Sequence, residues 1–515
     1  MLNYSTFRLI LFSAAISFVI DPYASAQLIP DWDIRREGVD GFYFSYKASA
    51  HLVTDSQGAV YVSNSTLRVQ KTDIQTVKYA PDGTEVWTVT YDGPSENMDT
   101  SKGIIIDSAG DILVLGNSEC DFLVIKYDAS DGSVIWVSQH DGGECPESPT
   151  AFTTDDVGNI YVTGPSRPPG FDHQEDFYTY KMDSAGNVLW TATYDGPGQI
   201  LFGNDIPVDI AVDSNGDVFV TGRSNDPGGH PDYLTIKYRG SDGSQLWLNR
   251  YHLGTDTPID MLIDSNDNVY VTGLTQSGIH GITTIKYRNT DGLRLWVVLD
   301  TPSAQNFVTS LAVDSRGDIY LAGRADPDTD ESNRNDNAVV ISHRASDGAR
   351  LWTTLYGESI VGHYDAALDI NIDASDNVYI SGETSSFGSW ADMLILQYDA
   401  TTGQIMDQGT YDVPTEMAMG KALALDLAQN VIVSGTTRAD PSGFIDFLTL
   451  KYPGMPANVT GDLDGDGVVS TSDLLILFSN WGPCPPPEKG DCPADLDGDG
   501  VVNTSDLLIL FANWG

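Results

Sequence analysis

The sequence predicts a mainly β chain: a propeller of four-stranded sheets followed by a small helical unit. Three observations carry that prediction. A pattern of an apolar strand ending in Asp, a short turn and a second strand ending in Gly returns eight times between residues 27 and 454. Its closing positions (Asn64, Gly116, Gly164, Gly222, Gly273, Gly323, Gly382 and Gly435) are 48 to 59 residues apart, the period of a propeller or solenoid. The chain then ends by repeating an Asp-rich sequence, first from Val459 and again from Pro493.

Residues 1–26 read as an export signal. One basic residue, Arg8, precedes an apolar run from Leu9 to Ile20, and small residues stand at Ala24 and Ala26 ahead of Gln27. The run is too short to cross a bilayer, which takes about 20 residues. The expectation is a secreted or cell-surface protein. The formal net charge of −46, from 73 acidic against 27 basic residues, repels nucleic acid and anionic lipid. Neither nucleic-acid binding nor membrane insertion is expected.

Residues 27–454 form the predicted ring. After the Asp-turn-Gly pair each copy continues with a third strand, as in Asp232 to Tyr238, a Gly-bearing turn, and a fourth strand headed by Trp, as in Gln245 to Tyr251. Four short strands joined by tight Asp/Asn/Gly turns make one meander sheet, a propeller blade. The Trp strand follows only seven of the eight copies, because the chain leaves the last one at Gly454. Trp32 stands six residues before Gly38, as Trp87 does before Gly93, so an N-terminal strand is expected to complete the last blade and remove the open edges. Eight blades are preferred. Seven remain the alternative, because Trp32 is a single match and Asp407 occupies the seventh Trp position. These units resemble the bacterial β-propeller repeat (SBBP-type) family of exported proteins. That resemblance specifies a fold and is nearly silent about function.

Loops between second and third strands, and between blades, vary in length and share one face, where a rigid scaffold carries its binding surface. Cys120 and Cys145 both fall there and can pair. His173, His230, His280 and His363 also fall there, beside Asp172, Glu175 and Asp176. They are a candidate metal or acid/base cluster, although they share no spacing and polar loops hold polar residues anyway. No nucleophile elbow, zinc motif or phosphate loop occurs, and no catalytic residue is assigned. The repeated turn Asp reads as a cap on its own turn rather than a calcium ligand. The Lys-Tyr pairs and the Trp row read as packing between blades.

Residues 455–460 form a linker, and 461–515 the helical unit. In its first copy oxygen donors fall at the positions of a calcium loop: Asp462, Asp464 and Asp466 at 1, 3 and 5, the Val468 carbonyl at 7, Ser470 at 9 and Asp473 at 12. The second copy, 33 residues on, supplies Asp495, Asp497, Asp499, the Val501 carbonyl, Asn503 and Asp506. Two calcium ions are expected, because clustered carboxylates repel one another without a cation. A helix is expected after each position 12, ending near Asn480-Trp481-Gly482 in the first copy, where Gly482 can take a left-handed cap. The two helices should pack together, stapled by a Cys484–Cys492 bridge, and fold only with the ion.

Paired loop-and-helix units of this kind resemble type I dockerins. The resemblance implies docking onto a cohesin, with recognition at loop positions 10 and 11. Those positions are Thr471 and Ser472, then Thr504 and Ser505. The basic pair usual in that family's recognition helices is absent, so the expected partner is a cohesin-like or a divergent surface receptor. The leading expectation is an exported binding or scaffold protein whose propeller recognises a ligand or partner while the C-terminal unit tethers it. One alternative is a glycan-binding, hydrolase or lyase subunit of a polysaccharide-degrading complex. Another is a structural surface element.

Overall fold

A computed structural model describes residues 30–36, 51–68, 71–94, 98–145, 147–168, 174–197, 203–278, 280–327, 335–357, 363–385, 391–413, 416–438, 445–453, 463, 469–484, 492, 494–496 and 500–512. The export-signal segment and the linker lie outside the described residues. Eight four-stranded antiparallel sheets form the blades. Blades 1 to 7 span 51–91, 100–140, 151–194, 205–251, 255–300, 305–356 and 364–411. Blade 8 joins 417–452 to the strand Trp32–Arg36, whose register runs from Trp32 opposite Lys451 to Arg36 opposite Phe447. Each blade's first strand packs on the first strands of both neighbours, and the first strand of blade 8 returns to that of blade 1. The ring is closed with eight blades, and the seven-blade alternative is excluded.

Local chemistry explains why the repeat takes this shape. In all eight copies the turn aspartate accepts two backbone N–H groups through Oδ1. Asp213, for example, accepts from Asn215 and Asp217, each at 2.9 Å. Where the second strand begins with Tyr, its hydroxyl donates to the same carboxylate, as Tyr161 does to Asp155 at 2.9 Å. These aspartates are caps, as their spacing predicts. Four third-strand lysines, Lys126, Lys237, Lys286 and Lys451, are buried against them, with Lys126 2.7 Å from Asp107 and Lys451 2.9 Å from Asp426.

The tryptophans clamp blade to blade. Trp87 Nε1 donates to the Ala129 carbonyl at 3.1 Å, in the third-to-fourth turn of the next blade. Trp136, Trp190, Trp247, Trp296 and Trp352 repeat that bond, and Trp32 closes the series on Pro81 at 3.0 Å. The turn under each indole carries a left-handed glycine, such as Gly132 at φ +74°, where a Cβ would collide with the ring. Asp407 breaks the row for a visible reason. The blade after it is blade 8, from whose third strand the chain departs, so no third-to-fourth turn exists there to receive an indole.

The C-terminal unit contains α1 (Thr471–Ser479) and α2 (Thr504–Ala512), packed together. Val469, Leu477, Ala494, Val502 and Leu510 form its buried core, and Gly482–Pro483 pairs antiparallel with Val501–Val502. Both helices begin earlier than expected, at loop position 10 rather than after 12. In α1 the cause is a capping box in which Ser470 accepts from the Ser472 N–H and Asp473 accepts from the Ser470 N–H. Gly482 is not the helix cap. Asn480 ends α1, and Gly482 joins the two-residue ladder. Among the described residues no helix is long and apolar enough to cross a membrane.

Candidate functional site

The two Asp-rich loops are closed by the same device. Asp473 and Asp506 at position 12 are wholly buried, and an ionised carboxylate tolerates that only when hydrogen-bonded. Asp473 accepts from the Leu463 and Ser470 N–H groups at 2.6 and 2.7 Å, and Asp506 from those of Leu496 and Asn503 at 2.7 and 2.8 Å. Each therefore ties loop position 2 to position 9. In the second loop Asp495 accepts from the Gly500 N–H at 2.8 Å, with Gly500 left-handed at φ +86°, the sharp turn a calcium loop needs at position 6. The Val501 carbonyl accepts from Asn503 Nδ2 at 2.8 Å, and Asn503 Oδ1 caps α2 by accepting from the Ser505 N–H. Hard oxygen donors on a closed loop fit a hard dication. Asp462, Asp464, Asp466, Val468, Asp497 and Asp499 lie outside the described residues.

Of the four docking residues read from the sequence, Ser472 and Ser505 are half-buried and taken up by the caps, while Thr471 and Thr504 are exposed. The sequence reading missed what stands on the same faces. Leu475 and Phe478 are 67% and 49% exposed, and their counterparts Leu508 and Phe511 are 68% and 49% exposed. With the threonines they form an i, i+4, i+7 stripe on each helix. Trp481 packs on Phe478, ring centroids 5.6 Å apart. The helical period that sends Leu474 and Leu477 inward sends Leu475 and Phe478 outward; the expectation that the two helices pack together did not separate these faces.

Both disulfides form, with Cα separations of 5.5 Å for Cys120–Cys145 and 5.7 Å for Cys484–Cys492. Among the described residues the histidines do not assemble into a cluster. His173 lies outside the described residues, and none of His230, His280 and His363 joins a group of three potential metal ligands among those described. The loop face instead gathers carboxylates at successive blade boundaries: Asp73, Asp92 and Asp99; Asp121, Asp141 and Glu147; Asp176, Asp195 and Asp205. Burial, then neighbouring charge, pushes Glu147 above the usual carboxylate range. Asp205 is likewise raised by burial. At the fourth boundary His252 stands among Asp232 and Asp256, held above the usual histidine range chiefly by its hydrogen bond to Asp232. A repeated Tyr-Asp-Gly after the Trp strand was the available signal for this row, visible at Tyr91, Tyr194 and Tyr411 except that Val413 replaces the last Gly.

Residues 460–513 match the dockerin type I domain, and residues 198–229 and 250–280 match the β-propeller repeat. No curated protein sequence matches the chain. Among solved structures the Dos1 propeller is similar at TM-score 0.51 and 8% identity, covering 82% of this chain and 95% of that one; the likeness is one of fold. A quinohemoprotein alcohol dehydrogenase from Comamonas testosteroni aligns at TM-score 0.49 and 12% identity, covering 83% of this chain and 78% of that one. The polysaccharide lyase Uly1 aligns at 0.43 and 10%, covering 83% and 98%.

Proposed function

We propose that the chain is an exported binding or scaffold protein in which the propeller's loop face recognises a ligand or partner and the dockerin unit tethers it to an extracellular assembly or surface. The observation that carries this reading is the duplicated exposed stripe of Thr471, Leu475 and Phe478 and of Thr504, Leu508 and Phe511, on helices that belong to a dockerin match. Exposed aromatic and aliphatic side chains aligned on one helix face suit a partner with an apolar surface.

Calcium supplies the order. Asp462, Asp464, Asp466, the Val468 carbonyl, Ser470 and Asp473 would hold one ion; Asp495, Asp497, Asp499, the Val501 carbonyl, Asn503 and Asp506 would hold the other. Each ion offsets two of the four carboxylate charges of its loop and fixes the first turn of its helix, where Thr471, Ser472, Thr504 and Ser505 stand. Either helix can meet the partner, because the two present the same residues. The partner is a cohesin-like or divergent receptor whose contact with this chain is more apolar than basic.

The test is capture of secreted and envelope proteins by the immobilised full chain, in CaCl2 and in EDTA. A partner retained only with calcium, and lost from the Leu475→Asp, Leu508→Asp variant, supports the reading. Retention unaffected by chelator and by both substitutions contradicts it.

A further inference from the structure

Seven of the eight fourth strands are joined to their own blade by the turn that follows the third strand; the eighth, Trp32–Arg36, meets blade 8 through strand pairing alone. No turn holds it in place. Residues 37–50 lie between it and the first strand of blade 1, whereas residues 252–254 and 301–304 make the corresponding links out of blades 4 and 5. A connection of that length lets the strand move away without pulling on the ring.

The side chains that hold this strand also differ in kind. Trp87, Trp190, Trp247, Trp296 and Trp352 are buried anchors of their fourth strands, 7 to 9% exposed. No side chain of Trp32–Arg36 is buried to that degree: Trp32, Ile34 and Arg36 are half-buried, and Asp33 and Arg35 are exposed. Two arginines make up the difference. Arg35 Nε donates to Asp446 Oδ2 at 2.7 Å, and its Nη2 lies 2.8 Å from Glu416 Oε2, both acids belonging to the blade 8 side. Arg36 reaches into blade 1, donating to the Tyr79 hydroxyl at 2.8 Å, Gln75 Oε1 at 3.3 Å and Thr88 Oγ1 at 3.0 Å, and it pairs with Glu85. Asp33 accepts from the Tyr411 hydroxyl of blade 7. One short strand thus ties three blades together, largely through charge.

We propose that Trp32–Arg36 is a strap that opens ahead of the rest of the ring and is gated by ionic strength. The pairs Arg35–Glu416, Arg35–Asp446 and Arg36–Glu85 all keep contact with water, so salt screens them, while the apolar anchors of the other fourth strands are left untouched. Low salt seats the strap and high salt loosens it. Opening bares the outer edge of Ile445–Tyr452, with Asp446 and Glu416 beside it. Such an edge suits an extended segment that carries two adjacent basic residues, as the strap itself does.

Hydrogen exchange of the full chain in CaCl2, at about 0.05 M and about 1 M NaCl, tests this by comparing the amides of residues 31–36 with those of Gln245–Tyr251. Asp31, whose N–H donates to the Lys451 carbonyl at 2.8 Å, reports the strap directly. The expected result is faster exchange in the strap at both concentrations, and a further loss of about tenfold in its protection at high salt that Gln245–Tyr251 does not share. Arg35→Gln with Arg36→Gln should exchange at low salt as the unaltered chain does at high salt, and should lose the salt response. Should that double variant fail to close the ring, the two strands of the unaltered chain decide the question by themselves. Equal protection of both strands at both concentrations, a salt effect common to both, or a salt response that persists in the double variant overturns the proposal.

Discussion

The propeller and the C-terminal unit are both built by repeating an acidic sequence, yet they satisfy their carboxylates in opposite ways. In the propeller each turn aspartate is matched by donors the blade supplies: two turn N–H groups and, at several positions, a Tyr hydroxyl and a buried lysine. Its apolar side chains fill a cluster between each pair of neighbouring blades. Among the described residues the C-terminal unit has five buried apolar side chains at its centre, and each loop carries four carboxylates. A core that small holds little folding free energy of its own. The same acidic residue type thus caps its own turns in one region and, in the reading proposed above, would hold an ion in the other.

The largest way to break the comparison is to remove the ion. Asp466→Ala with Asp499→Ala should abolish the calcium-dependent helix signal in circular dichroism while the sheet signal stays; a helix signal that still responds to chelator would refute the ligand assignment. Next is the closure of the ring. Trp32→Ala should cost about 3 kcal/mol in urea unfolding of the sheet, near the low end for a buried aromatic because Trp32 is only half-buried. Asp407→Trp, by contrast, should gain almost nothing, since no turn carbonyl awaits the indole. Cys484→Ser should destabilise the C-terminal unit by about 2 to 3 kcal/mol from loop entropy, read as a higher calcium midpoint for helix formation.

The smallest effect is a pH test inside the propeller. Burial first, then the neighbouring Asp412, pushes Asp392 up to about 6. A carboxyl raised from the unfolded value of about 3.9 contributes stability that is fully present below about 4 and lost as pH rises through about 6. Asp392→Asn should therefore raise the unfolding free energy at pH 7.5 by about 1 kcal/mol after solvent screening, and change it much less at pH 4.5. An equal effect at both pH values would contradict the assignment.

Much of this was legible in the sequence where function or packing depends on neighbours along the chain. The Asp turn, the Trp strand and the loop positions of the C-terminal unit are local patterns, and the match of Trp32 to Gly38 was enough to anticipate closure. What depended on spatial neighbours was not legible. Asp407 looked like a weakness in the blade count until the missing turn of blade 8 explained it. The helix start at Thr471 followed from Ser470 and Asp473 capping each other, which a calcium-loop numbering hides. The loop histidines drew notice as residue types, whereas Asp73, Asp92 and Asp99 meet only because consecutive blades bring a strand start, a loop and the next strand together.

Hydrogen exchange of the full chain, with and without calcium, tests the division most directly. The account predicts that amides of Leu474 to Phe478 and Leu507 to Phe511 lose protection in chelator while those of the blade strands keep theirs. Helices that stay protected without the ion, or blade strands that open with them, would contradict it.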